Sequence, residues 1–181
     1  MILIINVCSD KLSELEFVRP IEVILRNFNI KFLRRHFLDI TQRDLDKTEK
    51  IIICGTALKD TEYLENIDRF SWLKDYPRSI LGICAGFKIL AKIFGNDLFE
   101  KAMIGQFKVD VIKENKLTTE KEFYSYFLSS DVAKIIKGFE VLAMSENAEC
   151  MIKHENKDFY GCLFYPEIIN PEIIINFCNY T

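Results

Sequence analysis

The sequence has little histidine and no closely paired cysteines, which restricts the chemistry that it can carry. His36 and His154 are its only two histidines, and its six cysteines are scattered without a Cys-x-x-Cys pair. A zinc site is therefore not expected, and a disulfide framework is not the natural interpretation of a chain of 181 residues. We expect neither a metal nor a cofactor, and we expect free thiols of the kind that a reducing cytoplasm maintains.

The sequence also lacks long apolar runs and a strong excess of charge. No run approaches the roughly 20 apolar residues that span a bilayer. Residues 1–7 have no basic flank and no small-residue cleavage site, so they are predicted to form a first strand and not a signal peptide. A net charge of −3 favours neither nucleic acid nor an anionic membrane as a partner. We expect one soluble cytoplasmic domain covering residues 1–181.

Apolar runs alternate with helical spacing in the first half of the chain. Strands are predicted at 1–7, 30–37, 51–54 and 79–83, and helices at 15–28, 41–47, 60–75 and 86–94. In the second half, short β-like segments are predicted at 106–112, 139–144, 150–154 and 159–164, before a terminal helix from 171 to about 179. This order predicts an α/β fold: a flavodoxin-like three-layer sandwich with a mostly parallel central sheet, extended by antiparallel strands from the second half.

Residues 80–88 carry the strongest chemical signal. An apolar run ends at Cys84, with Gly82 two positions before it and Gly86 two positions after it, and a helical pattern follows. This spacing is typical of a nucleophile elbow, because the nucleophile occupies a strained turn with no room for bulk beside it. A sulfur at the start of a helix would be favoured as the thiolate. The alternative is a buried cysteine that only packs at a strand end.

Two more segments are expected to meet Cys84 at the carboxyl ends of parallel strands, where α/β sheets place their sites. Residues 54–57, Cys-Gly-Thr-Ala, follow a buried strand and are near enough to supply a backbone N–H group. Residues 160–167, Tyr-Gly-Cys-Leu-Phe-Tyr-Pro-Glu, run from a strand into a proline–glutamate turn.

Taken together, these segments resemble the class I glutamine amidotransferases, and most closely the amidotransferase subunits of GMP synthetases. The family pattern Gly-x-Cys-x-Gly-x-Gln corresponds to residues 82–88, Gly-Ile-Cys-Ala-Gly-Phe-Lys. The closing pattern Gly-Val-Gln-Phe-His-Pro-Glu corresponds to residues 161–167, Gly-Cys-Leu-Phe-Tyr-Pro-Glu. Residues 138–143 and 152–154 also look like the family, so the resemblance covers nearly the whole chain.

The resemblance implies a role for each matching residue. Cys84 would attack the carboxamide of glutamine, a histidine two residues before Glu167 would activate the thiol, and Glu167 would orient that histidine. Backbone N–H groups of Gly55, Thr56 and Ala85 would stabilise the oxyanion. The ammonia released would pass to a synthetase. The implied partners are therefore glutamine or a related small amide, and a separate synthetase-type subunit.

The match breaks at several of these positions. Tyr165 stands where the family has histidine, and Lys88 stands where it has glutamine. The loop 54–57 has one glycine and no proline where the family has Ser-Gly-Gly-Pro, and residues 127–130 lack the family's Ser-His pair. Tyrosine titrates near pH 10, so only about one phenol in a thousand is ionised at neutral pH, and Tyr165 is a poor general base.

Three hypotheses follow from this pattern. The first is an amidotransferase fold with lost or very weak glutaminase activity and a binding or regulatory role. The second is a working cysteine amide hydrolase in which Lys88, Tyr165 or a partner's residue repairs the missing base. The third is a redox-sensing thiol at Cys84.

Four polar residues have less specific interpretations. Lys88 either lowers the pKa of the thiol or fills the space that glutamine needs, and the second effect is favoured. Glu167 could cap a turn without any catalytic role. His36 and His154 are predicted to be ordinary surface or hydrogen-bonded histidines.

Overall fold

The computed structural model of the chain describes residues 1–135 and 137–179, and its strands form one mixed sheet. The strands in this part of the chain are β1 (Ile2–Asn6), β2 (Phe32–His36), β3 (Lys50–Ile53), β4 (Ser79–Ile83), β5 (Asp97–Val111), β6 (Glu122–Lys134), β7 (Phe139–Ser145), β8 (Ala148–His154) and β9 (Phe159–Cys162). The α-helices are α1 (Ser13–Phe17), α2 (Arg19–Asn27), α3 (Gln42–Asp46), α4 (Glu62–Glu65), α5 (Ala85–Ile93), α6 (Pro166–Ile169) and α7 (Pro171–Asn179). Short 3₁₀ helices lie at Phe37–Asp39 and Ile67–Lys74.

The strand order across the sheet is β2-β1-β3-β4-β9-β8-β7-β5-β6. The pairs from β2 to β9 are parallel, and the pairs from β9 to β6 are antiparallel. The strands β1 and β9 are buried along their whole length, which explains their uninterrupted apolar runs. The predicted α/β fold, with antiparallel strands added from the second half, is confirmed.

Helices cover both faces of the sheet. Right-handed connections place the helices that lead towards opposite edges on opposite faces. Accordingly, α5 packs on β3, β4 and β9 and contacts the 3₁₀ helix Ile67–Lys74, whereas α2 contacts α6 and α7. The apolar side chains between these layers form one buried cluster. Among the described residues, no helix is both long enough and apolar enough to cross a membrane.

Two predicted elements need correction. The helix predicted at 15–28 is two helices, α1 and α2, because Pro20 lies in the first turn of α2, where its missing N–H group is tolerated. The strand predicted at 106–112 is the end of the much longer β5, and β6 was not predicted at all. The antiparallel part of the sheet is therefore larger than expected.

The strand β6 was not predicted because its inward-facing positions include serines. Ser125, Phe127 and Ser129 are almost fully buried, whereas the outward-facing Tyr124 is 58% exposed. Along the strand, the apolar and polar positions therefore do not alternate as they do in an ordinary half-buried strand.

The same strand lies beside the carboxyl end of β4. The Tyr126 carbonyl accepts a hydrogen bond of 2.8 Å from the Tyr165 N–H group. The Leu128 carbonyl lies 3.5 Å from the Cys84 sulfur. Residues 126–131 of β6 thus form one wall of the region where the sequence predicts a site.

Candidate functional site

Cys84 occupies the turn between β4 and α5, as the sequence predicts. Its backbone has φ +45° and ψ −89°, a conformation that residues other than glycine rarely adopt. Such strain costs about 1–3 kcal/mol and persists where the surrounding structure enforces it. Here the surrounding structure includes a hydrogen bond of 2.7 Å from the Cys84 N–H group to the Cys162 carbonyl.

The two glycines around Cys84 are required by packing. A Cβ atom on Gly82 would lie 2.5 Å from the carbonyl carbon of Gly86, and one on Gly86 would lie 2.5 Å from the carbonyl oxygen of Ile53. The first turn of α5 therefore rests directly on the backbone of β3 and β4. The glycine spacing follows from this close approach, whatever chemistry the thiol performs.

The three segments that the sequence predicts to converge do lie side by side. Ile53, at the end of β3, pairs with Gly82 of β4, and Gly82 pairs with Gly161 of β9. The loop after β3, the Cys84 turn and the segment that leads to Glu167 consequently leave the sheet at one edge.

The Cys84 thiol is buried, with 3% of the residue exposed, and lies within reach of the Leu128 carbonyl as a hydrogen-bond acceptor. Burial raises the pKa of Cys84, against the opposing effects of the Lys88 ammonium and of the Tyr165 and Ser129 hydroxyls, which lie within reach of the sulfur although they donate to carbonyls. The sequence favoured a thiolate at this helix start. The structure instead favours the protonated thiol, because the loss of hydration outweighs the nearby positive charge.

Tyr165 is a buried, neutral hydrogen-bond donor. Its hydroxyl donates to the Thr56 carbonyl at 3.0 Å, and its ring packs 5.5 Å from the ring of Phe17 and so closely on Gly55 that a Cβ atom there would clash. Burial and the adjacent Cys84 raise the pKa of Tyr165 well above the usual value for a phenol. Tyr165 thus retains its proton and donates a hydrogen bond to a carbonyl.

Glu167 is a buried acid, with 8% of the residue exposed. Neither carboxyl oxygen accepts a hydrogen bond from another described residue. Burial raises the pKa of Glu167 to about 8, so the carboxyl group is mostly protonated at neutral pH. The structural role that the sequence left open, a cap on a turn or helix, stays a prediction: Glu167 lies in the first turn of α6, and its own backbone N–H group lowers the pKa of the carboxyl group against the larger effect of burial.

The residues proposed to stabilise an oxyanion lie beside Cys84 in different ways. Thr56 and Ala85 line the same cleft as Cys84, whereas Gly55 lies under the Tyr165 ring. The Ala85 N–H group is at the first turn of α5, where backbone donors have no partner within the helix. The Thr56 hydroxyl donates to Asp60 at 2.6 Å, which fixes the loop.

The cleft itself is narrow, with a volume of about 20 Å³. This is room for about one water molecule, so a larger ligand could enter only if a side chain that lines the cleft moved away. Lys88 lies inside it, 5% exposed, and forms an ion pair of 3.4 Å with Asp131 of β6. Of the two effects expected for Lys88, the structure therefore supports both: the ammonium lowers the pKa of Cys84, and the side chain fills the cleft.

Asp131 is a site residue that the sequence did not indicate, since it lies on the unpredicted strand β6. Leu128 contributes through its backbone carbonyl, which carries no signature in the sequence. Tyr63 also lines the cleft, and no motif marked it.

Both histidines make their contacts elsewhere. The Nε2 atom of His36 is 3.2 Å from the Cys8 carbonyl, and the ring of His154 lies 4.5 Å from that of Phe94 and 5.0 Å from that of Phe139. His154 also accepts a hydrogen bond from the Asn156 N–H group. In the described ranges, no group of three or more potential metal-ligating side chains is clustered.

Comparisons with known proteins bear on the family and the fold of the chain. The family model for class I glutamine amidotransferases matches residues 18–174. A subunit of the glutamine-hydrolyzing GMP synthase of Methanocaldococcus jannaschii is 37% identical over 109 residues, which are 55% of this chain and 58% of that protein. The corresponding GMP synthase subunit of Archaeoglobus fulgidus is 28% identical over 155 residues, 76% of this chain and 85% of that protein. The chain thus covers less than two thirds of the first relative's length.

Solved structures show the same fold. A structure assigned to a GMP synthase subunit of Thermoplasma acidophilum superposes with a TM-score of 0.87 at 20% identity, covering 98% of this chain and 92% of that one. A glutamine amidotransferase from Thermotoga maritima superposes with a TM-score of 0.72 at 20% identity, covering 92% and 76% of the two chains.

Proposed function

This chain belongs to the family of class I glutamine amidotransferases, and on that premise we propose that its glutaminase activity is lost or very weak. In this proposal the chain keeps the family's fold for a binding or regulatory task. Cys84 occupies a nucleophile elbow, and Tyr165 and Glu167 are the remnant of a catalytic triad.

The observation that carries the proposal is the buried, unpartnered carboxyl group of Glu167. In an intact triad this group would accept a hydrogen bond from the histidine that it orients. At the histidine's position, the Tyr165 hydroxyl donates a hydrogen bond of 3.0 Å to the Thr56 carbonyl. Glu167 is therefore left without a group to orient, and burial keeps it mostly protonated at neutral pH.

The missing base accounts for the proposed loss of rate. Hydrolysis needs a group that takes the thiol proton and then gives one to the departing ammonia. A neutral phenol with a raised pKa is a poor acceptor for the first proton. A positioned acid–base group contributes roughly 10²–10⁴ in rate, and removing one triad member usually eliminates most of what the triad provides.

The relatives suggest the partner. The proteins from Methanocaldococcus jannaschii and Archaeoglobus fulgidus are both GMP synthase subunits, and this likeness supports a separate synthetase-type protein as the binding partner of this chain. Glutamine or a related small amide is the ligand class that the family suggests. We further propose a cytoplasmic location, which the six free cysteines support.

A working enzyme is the second candidate, favoured by one specific observation. Lys88, Tyr165 and Ser129 all act to lower the pKa of Cys84, and the thiol lies in the strained turn that a nucleophile requires. If a partner changed the cleft and hydrated the thiol, these three groups could support a thiolate. This candidate predicts that a glutamine-analogue electrophile labels Cys84 in preference to the other five thiols. A redox-sensing role is less favoured, since sensor thiols are exposed thiolates and Cys84 is neither.

The test measures ammonia release from glutamine, with and without a synthetase-type subunit. We expect no Cys84-dependent release from the unmodified protein, and we expect Tyr165→His to gain release that Cys84→Ala then abolishes. Tyr165→Phe is the matched control, because it removes the hydroxyl without adding a base. Release by the unmodified protein at ordinary enzyme rates, abolished by Cys84→Ala, would refute the proposal and favour the second candidate.

A further inference from the structure

The cleft beside Cys84 contains a buried cation, Lys88. Lysine is almost never fully buried unless it is paired, because an ammonium group removed from water needs a compensating charge or hydrogen-bond acceptors. An ammonium group offers three donors and no acceptor. The cleft therefore requires an anion or a carbonyl oxygen next to the Lys88 nitrogen.

Asp131 supplies that anion in this structure. One oxygen of its carboxylate lies 3.4 Å from the Lys88 nitrogen and accepts a hydrogen bond of 2.6 Å from the Ser130 hydroxyl. The ion pair is longer than the roughly 2.7–2.9 Å of a strong charge-assisted hydrogen bond. The Asp131 side chain is 32% exposed, whereas that of Lys88 is 6% exposed. The carboxylate can therefore rotate away from Lys88 into solvent.

Two hydroxyl groups that line the cleft are already engaged. The Ser129 hydroxyl donates to the Asp131 carbonyl at 2.7 Å, and the Thr56 hydroxyl donates to the Asp60 carboxylate. Lys88, in contrast, has a partner that lies at a long distance and is partly exposed to solvent.

We propose that this cleft binds a small carboxylate, with Lys88 as its counter-ion, and that Asp131 occupies the carboxylate position and closes the cleft when no ligand is bound. The inference deepens the proposed function, on which it rests, by naming the ligand class for a site that no longer hydrolyses amides. A ligand carboxylate would displace the side chain of Asp131 and make a shorter contact with the ammonium.

The chemistry selects a carboxylate over a carboxamide. A carboxylate presents two acceptor oxygens and a negative charge, whereas a carboxamide presents one acceptor and an NH₂ donor. Displacement of Asp131 by a carboxamide would leave the buried ammonium without a full counter-charge, which is costly. L-Glutamine carries an α-carboxylate of its own, so the suitable probes are propionate and propionamide, which have nearly the same shape and differ only in this group. The cleft is accordingly expected to favour propionate over propionamide.

The experiment measures the binding of each probe by isothermal titration calorimetry, and ammonia release from L-glutamine in separate samples. We expect propionate to bind the unmodified protein about tenfold or more tightly than propionamide, the ratio that a charge-assisted contact supplies. Lys88→Gln should remove this preference. Asp131→Asn should tighten propionate binding several-fold, because the internal competitor is weakened. Lys92→Gln, an exposed lysine one turn further along α5, is the matched control and should change nothing.

The outcomes separate this inference from the proposed function. Equal or tighter binding of propionamide, or no binding of propionate to either the unmodified protein or Asp131→Asn at millimolar concentration, overturns the carboxylate site. Because Asp131 lies at the surface, the second variant keeps the test decisive even if Lys88→Gln misfolds. Ammonia release from L-glutamine by the unmodified protein instead overturns the loss of hydrolysis, whichever probe binds more tightly.

Discussion

At the scale of single residues, Tyr165 is a packing residue. Its ring packs on Gly55 and its hydroxyl is held by the Thr56 carbonyl, so the position occupied by histidine in the family contributes to packing here. The protonated states of Glu167 and Cys84 have a different cause, since burial raises the pKa of both groups. Tyr165 has the opposite effect on Cys84 and lowers the pKa of the thiol.

The backbone of Cys84 gives a prediction at this scale. Replacing a buried residue by glycine instead of alanine ordinarily loses about 1 kcal/mol, from chain entropy and a missing methyl group. At φ +45° the glycine relieves strain worth about 1–3 kcal/mol. We therefore expect Cys84→Gly to be at least as stable as Cys84→Ala in urea unfolding. Ala91→Gly, in the regular part of α5, is the control and should show the ordinary loss. A Cys84→Gly protein clearly weaker than Cys84→Ala would mean that the turn is unstrained.

At the scale of elements, packing explains what the sequence could and could not reveal. Close contact of α5 with β3 and β4 requires glycine at 82 and 86, so the strand, the turn and the helix were predictable. The same requirement means that the two glycines are retained whether or not Cys84 reacts, so they are not a sign of activity.

The edge strand β6 was not predictable in the same way, because its inward-facing positions include Ser125 and Ser129. Asp131 and the wall over Cys84 belong to this strand, so they were not predicted either.

Those two serines make a matched pair for a test of β6. The Ser125 hydroxyl is buried with no hydrogen-bond partner in the described part of the chain, whereas the Ser129 hydroxyl donates to the Asp131 carbonyl. A buried hydroxyl without a partner is destabilising by about 1–3 kcal/mol. We expect Ser125→Ala to raise the free energy of unfolding by about 1 kcal/mol and Ser129→Ala to lower it by a similar amount. Equal losses for both variants would mean that Ser125 has a partner, such as a buried water.

At the scale of the whole molecule, fold and catalysis are separable. The apolar cluster between the layers is built from whole strands and helices, and the site occupies one edge of the sheet. A change at that edge can remove acid–base chemistry without weakening the core, and Tyr165 adds an aromatic contact to it. The main liability that remains is electrostatic, because a carboxyl group is buried without a counter-charge.

That buried carboxyl group should be visible in the pH dependence of global stability. Burial raises the pKa of Glu167 from its ordinary 4.5 to about 8, so between these values the folded chain holds a proton that the unfolded chain has released. Stability contributed by this group therefore falls as pH rises through that window, by up to about 1.4 kcal/mol per pH unit, and levels off above it.

Glu167→Gln cannot ionise and should lack this slope. The free energy of unfolding of the variant minus that of the unmodified protein should rise from pH 5 to about pH 8. Subtraction cancels the titration of the other groups, and Glu172→Gln on the exposed side of α7 should give a flat difference. A flat difference for Glu167→Gln as well would mean that the carboxyl group is ionised in the folded state, paired with a cation that takes the place of the missing imidazole.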